Sequence, residues 1–215
     1  MNSKPQLGAV LLAAGAAIRM GERPKCLLTL DGVPLIECVL NALSKGGVQK
    51  VVVVLGHYAD QIEPFLKNHK VQVIRNSKAD EGQVSSLRLG LQALPSSVEV
   101  VMVALADQPL ITQISISDLI NAFEKRPANT EVVVPYVNNL PGNPVIFTSQ
   151  VSQSVLAGDA NYGIKQWRQI HRAKVHHWEN LNEAYRTDVD TPEDIDGLFH
   201  RTGHRLLWGV GDRSE

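Results

Sequence analysis

The sequence predicts an α/β fold of one domain, a doubly wound, mostly parallel sheet flanked by helices, and three observations carry that prediction. An uninterrupted aliphatic run at 51–55 and a largely apolar one at 98–105 suit strands buried on both faces. Segments with apolar residues at helical spacing alternate with the strands, as crossover connections between parallel strands require. A stretch of small residues, 11–25, leaves the first apolar run where such a sheet places its ligand-binding loops.

Residues 7–12 are the first strand. In the loop that follows, Ala13, Ala14, Gly15, Ala16 and Ala17 let a ligand approach backbone N–H groups, and Arg19 and Lys25 add fixed positive charge. Taken alone, this is also what a flexible strand-to-helix connection looks like. Gly21 is not followed by Lys-Ser/Thr, which excludes a Walker A loop, and no G-x-G-x-x-G is present here to support a dinucleotide fingerprint. Residues 34–45, with Leu35, Ile36, Val39, Leu40 and Leu43, form the crossover helix into the strand 51–55. A second helix at 58–67 and a third strand at 71–75 complete a βαβαβ opening.

Glu81-Gly82-Gln83 opens a helix carrying Leu87, Leu91 and Leu94, and Pro95 stops it. The strand 98–105 then ends in Ala106-Asp107-Gln108-Pro109, which leaves the Asp107 carboxylate at a strand end, facing solvent. Alternation continues with a helix at 115–125, a strand at 131–137, the turn Pro141-Gly142-Asn143-Pro144 and a strand at 145–148. Two short helices, 151–157 and 162–171, precede a short strand at 174–178. Thr191 as N-cap, Pro192 at the first helical position and Asp194 in the first turn start a last helix, ending near Arg201. The domain spans 1–208, and 209–215 reads as a flexible tail.

The function classes that composition disfavours are equally informative. With 215 residues, 44% hydrophobic, the chain can bury a sizeable core. Lys and Arg number 21 against 22 Asp and Glu, with no basic block, so neither a nucleic-acid footprint nor a membrane-surface helix is indicated. Cys26 and Cys38 form no C-x-x-C pattern and fit a reducing compartment. Residues 1–6 carry no apolar signal region, and no run approaches ~18 apolar residues, so the expected location is cytoplasmic. None of the seven histidines, His57 among them, sits in a metal-ligand or triad pattern; solvated or packing roles are expected.

The strand order just read puts the small-residue loop and Asp107 in one crevice. Asp190, just before the Thr191 cap, could complete a Mg²⁺ site with Asp107, because Mg²⁺ takes one or two carboxylates together with substrate phosphates. Each carboxylate also has an ordinary alternative: Asp107 as a turn residue capping the next segment, and Asp190 as part of a common helix-entry sequence.

Four blocks together resemble the molybdenum cofactor nucleotidyltransferases, within the wider sugar-nucleotide and isoprenoid nucleotidyltransferase superfamily. They are the loop from Leu12 to Lys25, Gly-Gln-Val-Ser-Ser-Leu-Arg-Leu-Gly-Leu from Gly82, Leu-Ala-Asp-Gln-Pro from Leu105, and Asp-Val-Asp-Thr-Pro-Glu-Asp from Asp188. The resemblance implies a Rossmann-like, nucleotide-diphospho-sugar transferase type of fold. It implies nucleotide contacts at Leu12, Ala13, Ala14, Gly15, Arg19 and Lys25, base or sugar contacts at Gly82, Ser85 and Ser86, and Mg²⁺ on Asp107 and Asp190. Arg19, Lys25 and Asp107 would carry the reaction, transfer of CMP from CTP to molybdopterin with release of pyrophosphate, and a molybdoenzyme would be a further partner. Ala13-Ala14-Gly15 favours the cytidylyl branch, since the guanylyl branch usually has Ala-Gly-Gly. Ala17 stands where a Ser is frequent, and the stretch 158–163 only loosely matches the expected Gly-Asp-x-Gly-Ala-Arg. A guanylyl transfer, a sugar- or alcohol-phosphate acceptor, and a nucleotide-binding maturation partner without turnover are the alternatives.

Overall fold

Strand β1 (Leu7–Ala13) is apolar along its whole length and lies at the centre of the molecule, in a computed structural model that describes residues 5–209. The loop 14–24 contains a 3₁₀ turn at Ile18–Met20, and a second such turn at Lys25–Leu27 leads into the hairpin of β2 (Leu28–Leu30) and β3 (Val33–Pro34). Helix α1 (Leu35–Gly46), β4 (Lys50–Leu55), the short α2 (Ala59–Ile62), β5 (Gln72–Arg75), α3 (Gln83–Ala93) and β6 (Val100–Leu105) follow. Then come α4 (Gln113–Glu124), β7 (Val132–Val137), β8 (Leu140–Pro141), β9 (Val145–Thr148), α5 (Ser149–Ala157) and α6 (Ile164–Ile170). The described chain closes with β10 (Val175–Glu179), α7 (Pro192–Thr202) and β11 (Leu206–Trp208).

The main sheet has the order β10-β7-β9-β6-β1-β4-β5, with β8 paired to β7. β4 and β6 flank β1 in parallel, while β9 runs antiparallel between β6 and β7, so the sheet is mostly parallel as expected. The two-residue period of β1 sends Ala9 and Leu11 into the layer of α1 and α4, against Ile36, Leu40, Ile116 and Leu119. Val10 and Leu12 point the other way, into the layer of α3, α5 and α6, with Leu87, Leu91, Val151 and Trp167. Gly90 lets α3 close onto the sheet, since a Cβ there would overlap the Val10 side chain. From β1 the chain moves outward to β4 and β5, then returns to the other side of β1 as β6. That reversal opens a crevice beyond the carboxyl ends of β1 and β6.

A second, three-stranded sheet, β11-β2-β3, was not expected. Its hairpin turns at Asp31-Gly32, where φ is +52° and +81°, the pair of positive values that a two-residue type I′ turn needs. Beneath it lies a separate apolar cluster of Met20, Leu28, Leu35, Val189, Leu198 and Leu206. Met20 belongs to the small-residue loop and Val189 to the approach to Asp190, so this cluster ties both to one support.

The helix expected at 58–67 is instead the single turn of α2 followed by a 3₁₀ stretch, Glu63–Leu66, with Pro64 near the junction. Proline has no N–H for the α-helical ladder. Thr191, Pro192 and Asp194 open α7 as expected, with a reciprocal capping box between Thr191 and Asp194. Both cysteines are free, Cys26 buried and Cys38 half-buried. Among the described residues no helix is long and apolar enough to cross a membrane. The expected tail, 209–215, lies outside the described residues except for Gly209.

Candidate active site

Three segments meet at the carboxyl ends of β1 and β6. Ala106 N donates to the Leu12 carbonyl (3.1 Å), which holds the chain leaving β6 against the end of β1. Val189 N donates to the Asp107 carbonyl (3.1 Å), and this bond carries Asp190 to the same place from a distant part of the chain. Lys25, at the start of its 3₁₀ turn, sets its ammonium between the two carboxylates, 2.5 Å from Asp107 and hydrogen-bonded to Asp190. Arg19 reaches Asp190 from the solvent side at 2.9 Å.

These neighbours shift each other's protonation in the directions chemistry requires. Burial pulls the Lys25 ammonium down, but the charge and hydrogen bond of Asp107, then those of Asp190, outweigh it and leave the pKa above the usual lysine value. Burial pushes Asp190 up, and Lys25 followed by Arg19 reverse this and hold it below the usual carboxylate range. Asp188 goes the other way, raised by burial and then by the charges of Asp107 and Asp190. Asp107 is not the solvent-facing group expected from its strand-end position. Its side chain is only 13% exposed, because the 187–190 segment and Lys25 cover it, and its Oδ1 is buried without a hydrogen-bond partner.

A cavity of about 520 Å³ opens beside this cluster. Leu12, Ala13, Ala14, Gly15 and Lys25 line one side, Asp107 and Asp190 its floor, and Gly82 and Ser86 the opposite wall. A Cβ added at Gly15 would meet nothing within 4 Å, and Gly82 has φ +96°, a value that side-chain-bearing residues rarely adopt. Two of the expected residues stand off the lining. Arg19 is 67% exposed and touches the site through Asp190, and Ser85 is tied back to Asn76 and the Lys78 carbonyl.

Several groups in and behind the lining were not anticipated. His57 Nδ1–H donates to the Ala14 carbonyl (3.1 Å) and its Nε2 faces Asp80 Oδ1 at 2.8 Å, so one ring joins the small-residue loop to the opposite wall. Tyr58 donates to the Ala16 carbonyl at 2.7 Å, and Asn76 donates to both serines, at 3.0 and 2.9 Å. The available signal was position: Gly56-His57-Tyr58 follows β4, the parallel neighbour of β1, and Asn76 follows β5, so both stand at strand carboxyl ends. With two of its carbonyls held from behind, the loop is braced for its N–H groups to serve a ligand.

A second cavity, of about 360 Å³, adjoins the first and shares Leu12, Gln83, Leu105 and Asp188 with it. Its outer wall is α6. The position of α6 depends on Arg88 of α3, whose guanidinium donates to the carbonyls of Val155, Leu156 (3.0 Å) and Asp159 (3.2 Å). On the opposite side Gln108 donates to the carbonyls of Asn143 (3.3 Å) and Tyr185 (3.2 Å), joining the β6 exit to the Gly-Asn-Pro turn.

Residues 9–177, which include most of β1 and all of β4 and β6 with their exits, match the model of the MobA-like NTP transferase domain. The chain belongs to the MobA-like NTP transferase family. Its enzyme class is therefore nucleotidyltransferase. Solved neighbours share the fold of the MobA-like domain. A nucleotidyl transferase from Methanothermobacter thermautotroptrophicus superposes with a TM-score of 0.74 at 25% identity, over 92% of this chain and 99% of its own. Rv0371c of Mycobacterium tuberculosis H37Rv, solved as a complex with manganese, gives 0.72 at 22% identity, over 91% and 98%. Among curated relatives, the bifunctional protein GlmU of Acetivibrio thermocellus is 31% identical over 136 residues, 63% of this chain. The chain spans only 29% of that protein, and about half or less of the GlmU relatives it matches at greater length.

Proposed function

We propose that this MobA-like domain, spanning 1–208, transfers CMP from CTP to molybdopterin in the cytoplasm. The observation that carries the reading is the Lys25 ammonium bridging Asp107 and Asp190 beside a loop of small residues. An oxygen of the acceptor phosphate attacks the α-phosphorus of the nucleotide. A new P–O bond forms, the α–β bridging P–O bond breaks, and its electron pair leaves with pyrophosphate. Such a reaction needs positioning and charge neutralisation rather than a covalent nucleophile.

In this reading the backbone from Leu12 to Gly15 cradles the nucleotide, and Arg19 and Lys25 neutralise the triphosphate. Gly82 and Ser86 receive the base or sugar, with the Ser86 hydroxyl oriented by Asn76 and Ser85 bracing the same amide from behind. Asp107 and Asp190 are hard oxygen donors fit for Mg²⁺, and the unpartnered, buried Asp107 Oδ1 supports that fit. When bound, the ion would supply neutralisation of phosphate charge. Among the described residues no three His, Cys, Asp or Glu side chains gather as a metal group.

The GlmU relatives favour a second reading, in which the acceptor is a sugar or alcohol phosphate. The nucleotide is tested separately. Ala14 lines the cavity where the guanylyl branch usually has Gly, and its methyl narrows the space available to a purine. One methyl group is worth ~1–3 kcal/mol, roughly ten- to two-hundred-fold. In competition, CTP should therefore give the higher kcat/KM within that range. Equal values, or a GTP preference, would move the protein to the guanylyl branch.

A further inference from the structure

The second cavity has walls of two kinds. Leu87, Val103 and Val145 give it an apolar floor, whereas α6 presents Lys165 and Arg168, one helical turn apart and therefore on one face. Neither cation has an ion-pair or hydrogen-bond partner among the described residues, in contrast to Lys25 and Arg19, which share Asp190. Arg168 Nε is buried and makes no hydrogen bond, a donor for which the fold provides no acceptor. Among the described residues its lining holds a single carboxylate, Asp188, which also lines the first cavity.

We infer that this second cavity is the acceptor chamber and that Lys165 and Arg168 bind the acceptor as a phosphate monoester. The inference rests on the nucleotidyl-transfer reading and adds where the acceptor phosphate sits and which residues recognise it. A half-buried guanidinium beside an exposed ammonium, neither paired with a carboxylate, is stabilised by an anion, and a guanidinium can meet two phosphate oxygens at once. The apolar floor suits a body with a flat or hydrocarbon face behind the phosphate. Leu12 and Leu105, shared by both cavities, lie at the ends of β1 and β6, so the chambers join where Asp107 is held and acceptor oxygen can meet α-phosphorus. His177, stacked on Tyr136 with centroids 4.1 Å apart, has its pKa lowered by burial and then by the charge of Arg168, as a cation without a carboxylate partner would do.

The test separates acceptor from nucleotide. Pyrophosphate release is followed with CTP and, in turn, molybdopterin, a hexose 1-phosphate and glycerol 3-phosphate, for wild type, Arg168→Gln, Arg168→Lys and the exposed Lys165→Gln. Arg168→Gln should raise the KM of the accepted phosphate at least tenfold and leave the CTP KM within twofold, with partial recovery in Arg168→Lys. Lys165→Gln should raise the acceptor KM about threefold. Unchanged acceptor KM in both Gln variants, or an equal rise in both KM values, overturns the inference. Should wild type release no pyrophosphate with any acceptor, the transfer reading fails, and melting curves then decide the chamber. A Tm rise with these phosphates that is lost in Arg168→Gln keeps the anion site, and no rise removes it.

Discussion

At the scale of single residues, what distinguishes the site is that its charges are neutralised within the protein. Asp107, Lys25 and Asp190 form a chain of opposite charges, and Asp107 keeps one buried oxygen free of hydrogen bonds. Asp107→Ala should leave the circular dichroism spectrum native and remove nucleotidyl transfer. Retention of more than about a tenth of the wild-type rate at saturating Mg²⁺, a loss of only ~1.4 kcal/mol, would sink its assignment. His57 has a different signature. Its hydrogen bond to Asp80, then that to the Ala14 carbonyl, raises its pKa above the usual 6.5 against a smaller opposing effect of burial. A raised folded pKa means the clamp contributes fully below about 6.5 and is lost as pH climbs through the raised value. The nucleotide KM of the wild type should therefore rise with pH across that window, and His57→Gln should flatten the profile. An identical profile in the variant would return His57 to a packing role.

Elements decide whether those residues meet. The Asp31-Gly32 hairpin, β11 and α7 enclose the apolar cluster that carries Met20 and Val189, so the small-residue loop and Asp190 share one support. On the opposite side, α6 depends on Arg88, whose guanidinium holds carbonyls at the end of α5 and in the segment after it. Arg88→Met keeps the stem and removes the donors. Hydrogen bonds from a charged group are worth ~1.5–3 kcal/mol, so a loss of about 2 kcal/mol is expected. In a chain of this size that is a Tm decrease of roughly 4–8 °C by calorimetry. A change below one degree would show that the segment holds its shape without the arginine.

For the whole molecule, the reversal of the sheet between β1 and β6 is what gives one crevice two chambers. A nucleotide bound there stabilises only the folded chain. At a hundred times its dissociation constant it should add ~2.7 kcal/mol, a Tm rise of roughly 5–10 °C. CTP with Mg²⁺ should give the largest rise of the four ribonucleoside triphosphates. No rise with any triphosphate would remove the nucleotide site from this crevice.

Much of this arrangement was legible in the chain itself. Buried strands and amphipathic helices write their periods locally, so β4, β6, α1, α3 and the Thr191 cap could be read residue by residue. The small-residue loop and the strand-end Asp107 marked one end of the sheet for the same reason. The small second sheet could have been read as well, from Asp31-Gly32, but its third strand, β11, pairs with β2 from the far end of the chain. Only the tertiary structure brought Asp190 to Lys25 and His57 to Ala14, because the first pair depends on the backbone bond from Val189 to Asp107 and the second on β4 lying beside β1. The burial of Asp107 belongs to the same class. A residue's exposure depends on what the rest of the chain lays over it, and here that cover comes from residues more than eighty positions away.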